Sequence, residues 1–270
     1  MSPRPPRGLG WRCIRSSILA TLGLMLLAAQ GGSAALEQPT QAGSGIHVVV
    51  LDPGHGGADE GARGASGLAE KDVTLQVAQE SMRLIAQLLG LQVVLTRSDD
   101  SAVPLEMRAA RANQANGDLF ISIHVGGSFG RAPHSFQTFY LDAPQRILLP
   151  GRDDPKAGSP LIRRGPTPRG ATPQPRALPW DQAQWEFLDR SQVFARTLQK
   201  NLRTQIGDEE RDTQGLPLLV LRWVRMPAVL LDLGSLSDPT FEDRLRDDAY
   251  VQRAALGIAQ AVNDYQNLSR

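Results

Sequence analysis

Ile46-His47-Val48-Val49-Val50-Leu51-Asp52-Pro53-Gly54-His55-Gly56-Gly57 is the stretch that decides the fold. Val48, Val49, Val50 and Leu51 form an unbroken, mostly β-branched run without helical period. That is the pattern of a strand buried on both faces in a parallel sheet. The run ends at Asp52-Pro53-Gly54, where proline removes a backbone donor and glycine admits unusual dihedrals. Open α/β sheets bind ligands at the carboxyl ends of their strands. His55 stands at such an end between glycines, with the position and clear surroundings of a metal ligand or a catalytic base.

Outward from this strand the chain alternates. Residues 56–64 are too glycine-rich for regular structure. A helix is predicted from about 69 to 89, with Val73, Val77, Met82, Leu84, Ile85, Leu88 and Leu89 approximating an apolar stripe. Glu70 falls at its start, where a carboxylate is favourable whether as a dipole partner or as a ligand. A strand over 92–97 follows, then a helix over 105–115 opened by Pro104, then a strand over 118–124 that again ends on a histidine, His124. Further strands are expected at 135–141, 216–221 and 228–232, and further helices at 181–205, behind Pro239, and at 248–265. This order predicts one α/β domain over 46–268, a three-layer fold with a mostly parallel twisted sheet flanked by helices.

The two flanks of that pattern read differently. Arg4, Arg7, Arg12 and Arg15 precede an apolar stretch over 17–29, which is too short for a comfortable membrane span. Small residues at 31–35 follow, so residues 1–35 read as a signal peptide and 36–45 as a linker, for a periplasmic or secreted protein without a transmembrane segment once the signal is removed. Cys13, the single cysteine, would leave with the signal, which excludes disulfide and thiolate chemistry in the mature domain. The 29 basic and 28 acidic residues lose four arginines with it, leaving a net charge of about −3 and no pattern suited to nucleic acid. Residues 143–180 break the alternation: nine of the 38 are proline, and seven are Lys or Arg against two Asp. They read as a long irregular insertion, a solvated loop or an arginine-rich contact for an anionic polymer or a partner.

Two imidazoles and one carboxylate, His55, Glu70 and His124, suit a catalytic zinc ion with an open fourth position. Taken singly each has a plainer reading, a cap for Glu70 and a surface position for either histidine, and spacings of 15 and 69 residues define no metal site. The runs DPGHGG at 52–57, GLAEKD at 67–72, VVLTR at 93–97, LEMRAARAN at 105–113, SIH at 122–124 and VLRWVRMPAVLLDLGSLSDP at 220–239 resemble the zinc-dependent N-acetylmuramoyl-L-alanine amidases of the amidase-3 type.

The resemblance implies a secreted enzyme that cleaves the amide between N-acetylmuramic acid and L-alanine in peptidoglycan, with zinc on His55, Glu70 and His124. It also implies a catalytic carboxylate at the end of the strand after Pro227, which in the family is glutamate and here is Asp232. Gln137 and Gly126 replace a glutamate and an asparagine common in relatives. These departures keep two other readings open: a zinc-holding but catalytically weakened peptidoglycan-binding or regulatory homologue, and a hydrolase of another envelope amide. Arg97, Arg108 and Gln137 are candidate substrate contacts, although arginines at helix and strand ends more often pair with surface acids. Asp52 either orients a ligand histidine or caps its turn, and His47 and His134 are expected to be exposed.

Overall fold

β1 (Val48–Pro53) lies inside a six-stranded sheet of order β2-β1-β3-β6-β4-β5, with β2 at Gln92–Leu95, β3 at Leu119–His124, β4 at Gln137–Leu141, β5 at Gln214–Leu216 and β6 at Ala228–Asp232. The computed structural model describes residues 45–126, 135–142, 180–207 and 212–268. The expected signal peptide, nearly all of the linker, His134 and almost the whole 143–180 insertion, with any activator or wall-polymer contact there, lie outside the described residues. No helix among the described residues is long and apolar enough to cross a membrane.

β1, β2, β3 and β6 run parallel, and β4 joins β6 antiparallel while pairing parallel with β5. The sheet is therefore mostly parallel with a reversed edge pair. Alternation along the strands assigns the faces. Val49, Leu51, Leu119, Ile121, Ile123, Val229 and Leu231 pack into one core with α1 (Glu70–Leu89), α3 (Leu188–Ile206) and α5 (Asp248–Leu268). Val50, Phe120, Ala228 and Leu230 pack into a second core with α2 (Leu105–Gln114) and a 3-10 turn at Leu219–Leu221. A short α4 (Pro239–Arg246) precedes α5, its start capped by Asp238, which accepts from the Thr240 N–H at 3.0 Å.

Two expected elements differ. The strand expected over 216–221 is instead the end of β5 followed by the 3-10 turn. Pro217 supplies no ladder donor, and Val220 and Leu221 turn into the second core. The helix expected from 181 begins as a 3-10 segment, Trp180–Phe187. There the buried Gln184 gives its amide to the carbonyls of Val224 (2.8 Å) and Met226 (2.5 Å), tying the segment to the chain just before β6.

The carboxyl end of β1 is fixed by a buried ion pair. Asp52 is fully buried and accepts from Arg108 Nη1 (2.8 Å), Thr96 Oγ1 (2.5 Å) and Ser122 Oγ (2.8 Å). The remaining Arg108 donors go to the carbonyls of Pro53, His55 and Val103. Removing one partner of such a pair leaves an uncompensated charge in the interior. Arg108→Ala is therefore expected to destabilise the domain by about 3–5 kcal/mol in urea denaturation at neutral pH.

Candidate metal centre

His55 follows β1 with its backbone in the left-handed region, φ 61°, which is uncommon outside glycine. The Arg108 bond to its carbonyl, 2.7 Å, helps to hold it there. His124 ends β3, and Glu70 opens α1. Although these residues lie far apart along the chain, one ligand atom from each falls within 4.8 Å of the others. His55 Nε2 is 3.1 Å from Glu70 Oε2, and His124 Nδ1 is 3.0 Å from Glu70 Oε1. The two imidazoles meet edge to face, with centroids 5.0 Å apart.

Glu70 does not act as a side-chain cap for its own helix. Its carboxylate is buried and accepts backbone N–H bonds from Ala62 (2.8 Å) and Val125 (2.9 Å). Burial works against its ionisation, but hydrogen bonds from His124 and His55 outweigh it and hold the carboxyl far below its usual range. The hydrogen bond that His55 donates to Glu70 raises the pKa of His55 against its own burial, with Asp59 adding to the rise. Asp59 Oδ2 stands 2.9 Å from His55 Nδ1, leaving Nε2 turned toward Glu70. A carboxylate behind a histidine in this way fixes its tautomer and raises its basicity toward a metal.

The donor set fits a divalent ion. Two imidazole nitrogens and one carboxylate converge, the donor types that hold zinc. Glycines leave the room. A Cβ on Gly54 would stand 2.4 Å from the His124 ring, and one on Gly61 would stand 2.5 Å from Glu70 Oε2.

Asp232 neighbours this group across the sheet, in register with His124. Burial pushes its carboxyl up to about 6, against the N–H donors of Gly234 (3.1 Å) and Gly126 (3.3 Å) on Oδ1. Gly126 has φ 108°, and a Cβ there would meet Ala62 Cβ at 2.6 Å, so a side chain at this position needs a different local backbone. A carboxyl poised near neutrality beside a cluster that could hold a metal is of the kind that general-base chemistry uses.

The other sequence candidates fall elsewhere. Arg97 is buried, and its guanidinium donates to the carbonyls of Pro53, Gly54, Lys71 and Asp99 and to Thr74 Oγ1. Those bonds brace the loop that carries His55. Arg108 is likewise spent on Asp52 and carbonyls. Gln137 pairs with Asp232 across β4 and β6, but its side-chain amide donates to the Asp212 carbonyl at 3.0 Å. Asp52 serves the turn through Arg108, Thr96 and Ser122. His47 is exposed at the opposite end of β1. Sequence reasoning missed Asp59, whose spacing of four from His55 across a glycine turn was the available signal.

The structure defines a three-layer α/β domain whose sheet carries, at its carboxyl edge, a His-Glu-His cluster that could hold a metal ion. A family model described as N-acetylmuramoyl-L-alanine amidase (Amidase_3) matches residues 49–264, and the chain belongs to that family of amide hydrolases. It is 31% identical over 232 residues to N-acetylmuramoyl-L-alanine amidase AmiA of Escherichia coli K12, covering 82% of this chain and 76% of that one. It is 27% identical over 222 residues to AmiC of Neisseria meningitidis serogroup B, covering 82% of this chain and 53%, about half, of that relative's length. Among solved structures, the N-acetylmuramoyl-L-alanine amidase of Clostridium difficile 630 superposes with a TM-score of 0.62 at 26% identity, covering 83% of this chain and 98% of that one.

Proposed function

We propose that this domain is a zinc-dependent hydrolase, secreted to the cell envelope, that cleaves the amide between N-acetylmuramic acid and L-alanine of peptidoglycan. The observation that carries the reading is the convergence of His55, Glu70 and His124 within 4.8 Å, beside the raised carboxyl of Asp232. His55 Nε2, one Glu70 oxygen and His124 Nδ1 would hold the ion, with Asp59 orienting His55. When bound, zinc supplies Lewis acidity toward the scissile carbonyl and makes a nucleophilic water available near neutral pH.

The chain's own residues do the rest. Ionised Asp232 takes the proton of the attacking water at its carboxylate and returns it to the leaving nitrogen of L-alanine. The Gly126 and Gly234 N–H groups fix one Asp232 oxygen, leaving the other for that proton. The glycines at 54 and 61 let His124, Glu70 and His55 seat where a Cβ would collide with them. The sheet edge beneath is rigid, held by Asp52, Arg97 and Arg108.

The sign of the pH dependence follows from the raised carboxyl. A base must be ionised to act, so kcat/KM is expected to fall about tenfold per pH unit below a midpoint at or under about 6, bound positive charge drawing the midpoint down. A rate profile from pH 4 to 8 with no acid limb would contradict the assignment of Asp232.

One observation favours a second reading, a zinc-holding binding or regulatory homologue. Asp232 is a shorter side chain than the family's glutamate, and its Oδ1 is engaged by two backbone donors. Digestion of peptidoglycan by the zinc-loaded protein, followed by mass analysis of the muropeptides, separates the two. Amidase action yields sugar chains free of peptide together with peptides that begin with L-alanine. Intact muropeptides would support the binding reading, and cleavage at a different amide would change the substrate.

A further inference from the structure

We infer that Glu242, on α4, is a positioning residue for Glu70, acting through the loop that runs from Ala62 to Glu70; the inference rests on the metal reading above. Four groups of this loop meet the Glu242 carboxylate. Ser66 Oγ donates to Oε1 at 2.6 Å, the Ser66 N–H reaches Oε2 at 3.0 Å and Oε1 at 3.2 Å, and the Leu68 N–H donates to Oε1 at 3.1 Å. Arg246, one turn along α4, closes the arrangement by donating to Ser66 Oγ (2.7 Å) and to the Ser66 carbonyl (3.2 Å), with Nη2 3.5 Å from Glu242 Oε1. The fourth group is Gly64, where a Cβ would stand 2.2 Å from the Glu242 carboxyl carbon, so this close approach requires glycine.

Both ends of this connection are anchored. On the α4 side, Phe241 is buried and stacks edge to face on Tyr250 at 5.9 Å, while Asp238 caps the helix. On the loop side, Gly64 N–H bonds to the Leu68 carbonyl (2.9 Å) and Arg63 bridges Ala69, so the loop is a narrow closed hairpin. Its two stems end at the metal centre: the Glu70 N–H donates to the Ala62 carbonyl, and the Ala62 N–H donates to Glu70 Oε2, both at 2.8 Å. Closing the hairpin tip on Glu242 therefore fixes where Ala62 aims the Glu70 carboxylate. The segment from Asp232 to Arg246 then serves the site twice, with the general base at one end and the fastening of a ligand loop at the other.

The bonding satisfies Glu242 as an anion. Donation by the Ser66 hydroxyl and N–H groups, against burial, holds its carboxyl down to about 2. Glutamine keeps the shape but presents an NH2 group to backbone donors that need an acceptor.

The test uses the full mature chain and compares wild type with Glu242→Gln and Ser66→Ala, zinc affinity being read by chelator competition and amide protection by hydrogen exchange in the metal-free protein. Glu242→Gln is expected to weaken zinc binding by about 10–100-fold, as losses behind a ligand do, and to speed exchange at Ala62 and Glu70. Ser66→Ala, which leaves the fold's anchors intact, is expected to weaken it about fivefold, the worth of one hydrogen bond. A folded Glu242→Gln protein with wild-type zinc affinity and unchanged exchange at Ala62 and Glu70 would overturn the inference, even if its melting temperature fell. Should Glu242→Gln not fold, unchanged affinity and exchange in Ser66→Ala would overturn it equally. If wild type holds no zinc, the metal reading fails by itself, and the exchange comparison still decides whether Glu242 positions Glu70.

Discussion

Glu70→Gln is expected to weaken zinc binding by well over the roughly 10–100-fold that changes behind a ligand produce, and to abolish amide hydrolysis with it. The carboxylate is the only anion among the three donors, and it is in contact with both imidazoles. It also accepts from Ala62 and Val125 N–H, so a neutral amide leaves at least one of those donors facing an NH2 group. The same variant has a signature in the metal-free protein. Because the folded state holds the Glu70 carboxyl far below its unfolded value, its contribution to stability is present above about pH 4.3 and is lost as the pH falls below that. Glu70→Gln removes that part of the acid limb of the stability profile. Isothermal titration with zinc and thermal melts between pH 3 and 7 read both effects, and an unchanged zinc affinity would remove Glu70 from the ligand set.

Asp232→Asn is expected to lower kcat by about 10²–10⁴-fold, the range of a lost general base, while zinc affinity changes little. The informative companion is Asp232→Glu. Glutamate reaches about 1–1.5 Å further, and misplacement on that scale is worth on the order of a hundredfold in rate. If the Gly126 and Gly234 N–H groups already aim the shorter carboxylate correctly, Asp232→Glu gains nothing, and aspartate is this chain's working base. A rise of about a hundredfold would instead show a site held back by one methylene, and would favour the binding or regulatory reading of the natural protein. Single-turnover release of stem peptide, measured with and without excess zinc, distinguishes loss of chemistry from loss of metal.

Much of the fold and of the candidate site was legible because the signals are local. Val48 to Leu51 and Leu119 to Ile121 are apolar runs bounded by chain-breaking or polar residues, and each leads to a histidine at the carboxyl end of its strand. Glu70 could be placed at a helix start for the same reason. What sequence could not supply is partner choice across long distances. Arg97 and Arg108 stand at element ends like surface arginines, and only the folded chain shows their guanidinium groups buried beneath the His55 loop. Glu242 and Ser66 are separated by 176 residues and carry no periodic or motif signal that joins them. The reversed direction of β4 was also hidden, since an apolar strand reads the same in either orientation. The 216–221 run misled because alternation cannot tell a strand from a 3-10 turn tucked against the same core, once Pro217 has ended the ladder.

X-ray absorption at the zinc edge, on the protein loaded with one equivalent of zinc, reads the ligands of the bound ion directly. The expected spectrum is that of a four-coordinate shell of two imidazole nitrogens and one carboxylate oxygen at about 2.0–2.2 Å, completed by solvent, with one imidazole lost in His124→Ala. A shell of oxygen ligands without imidazole scattering, or the same spectrum in wild type and His124→Ala, would contradict it.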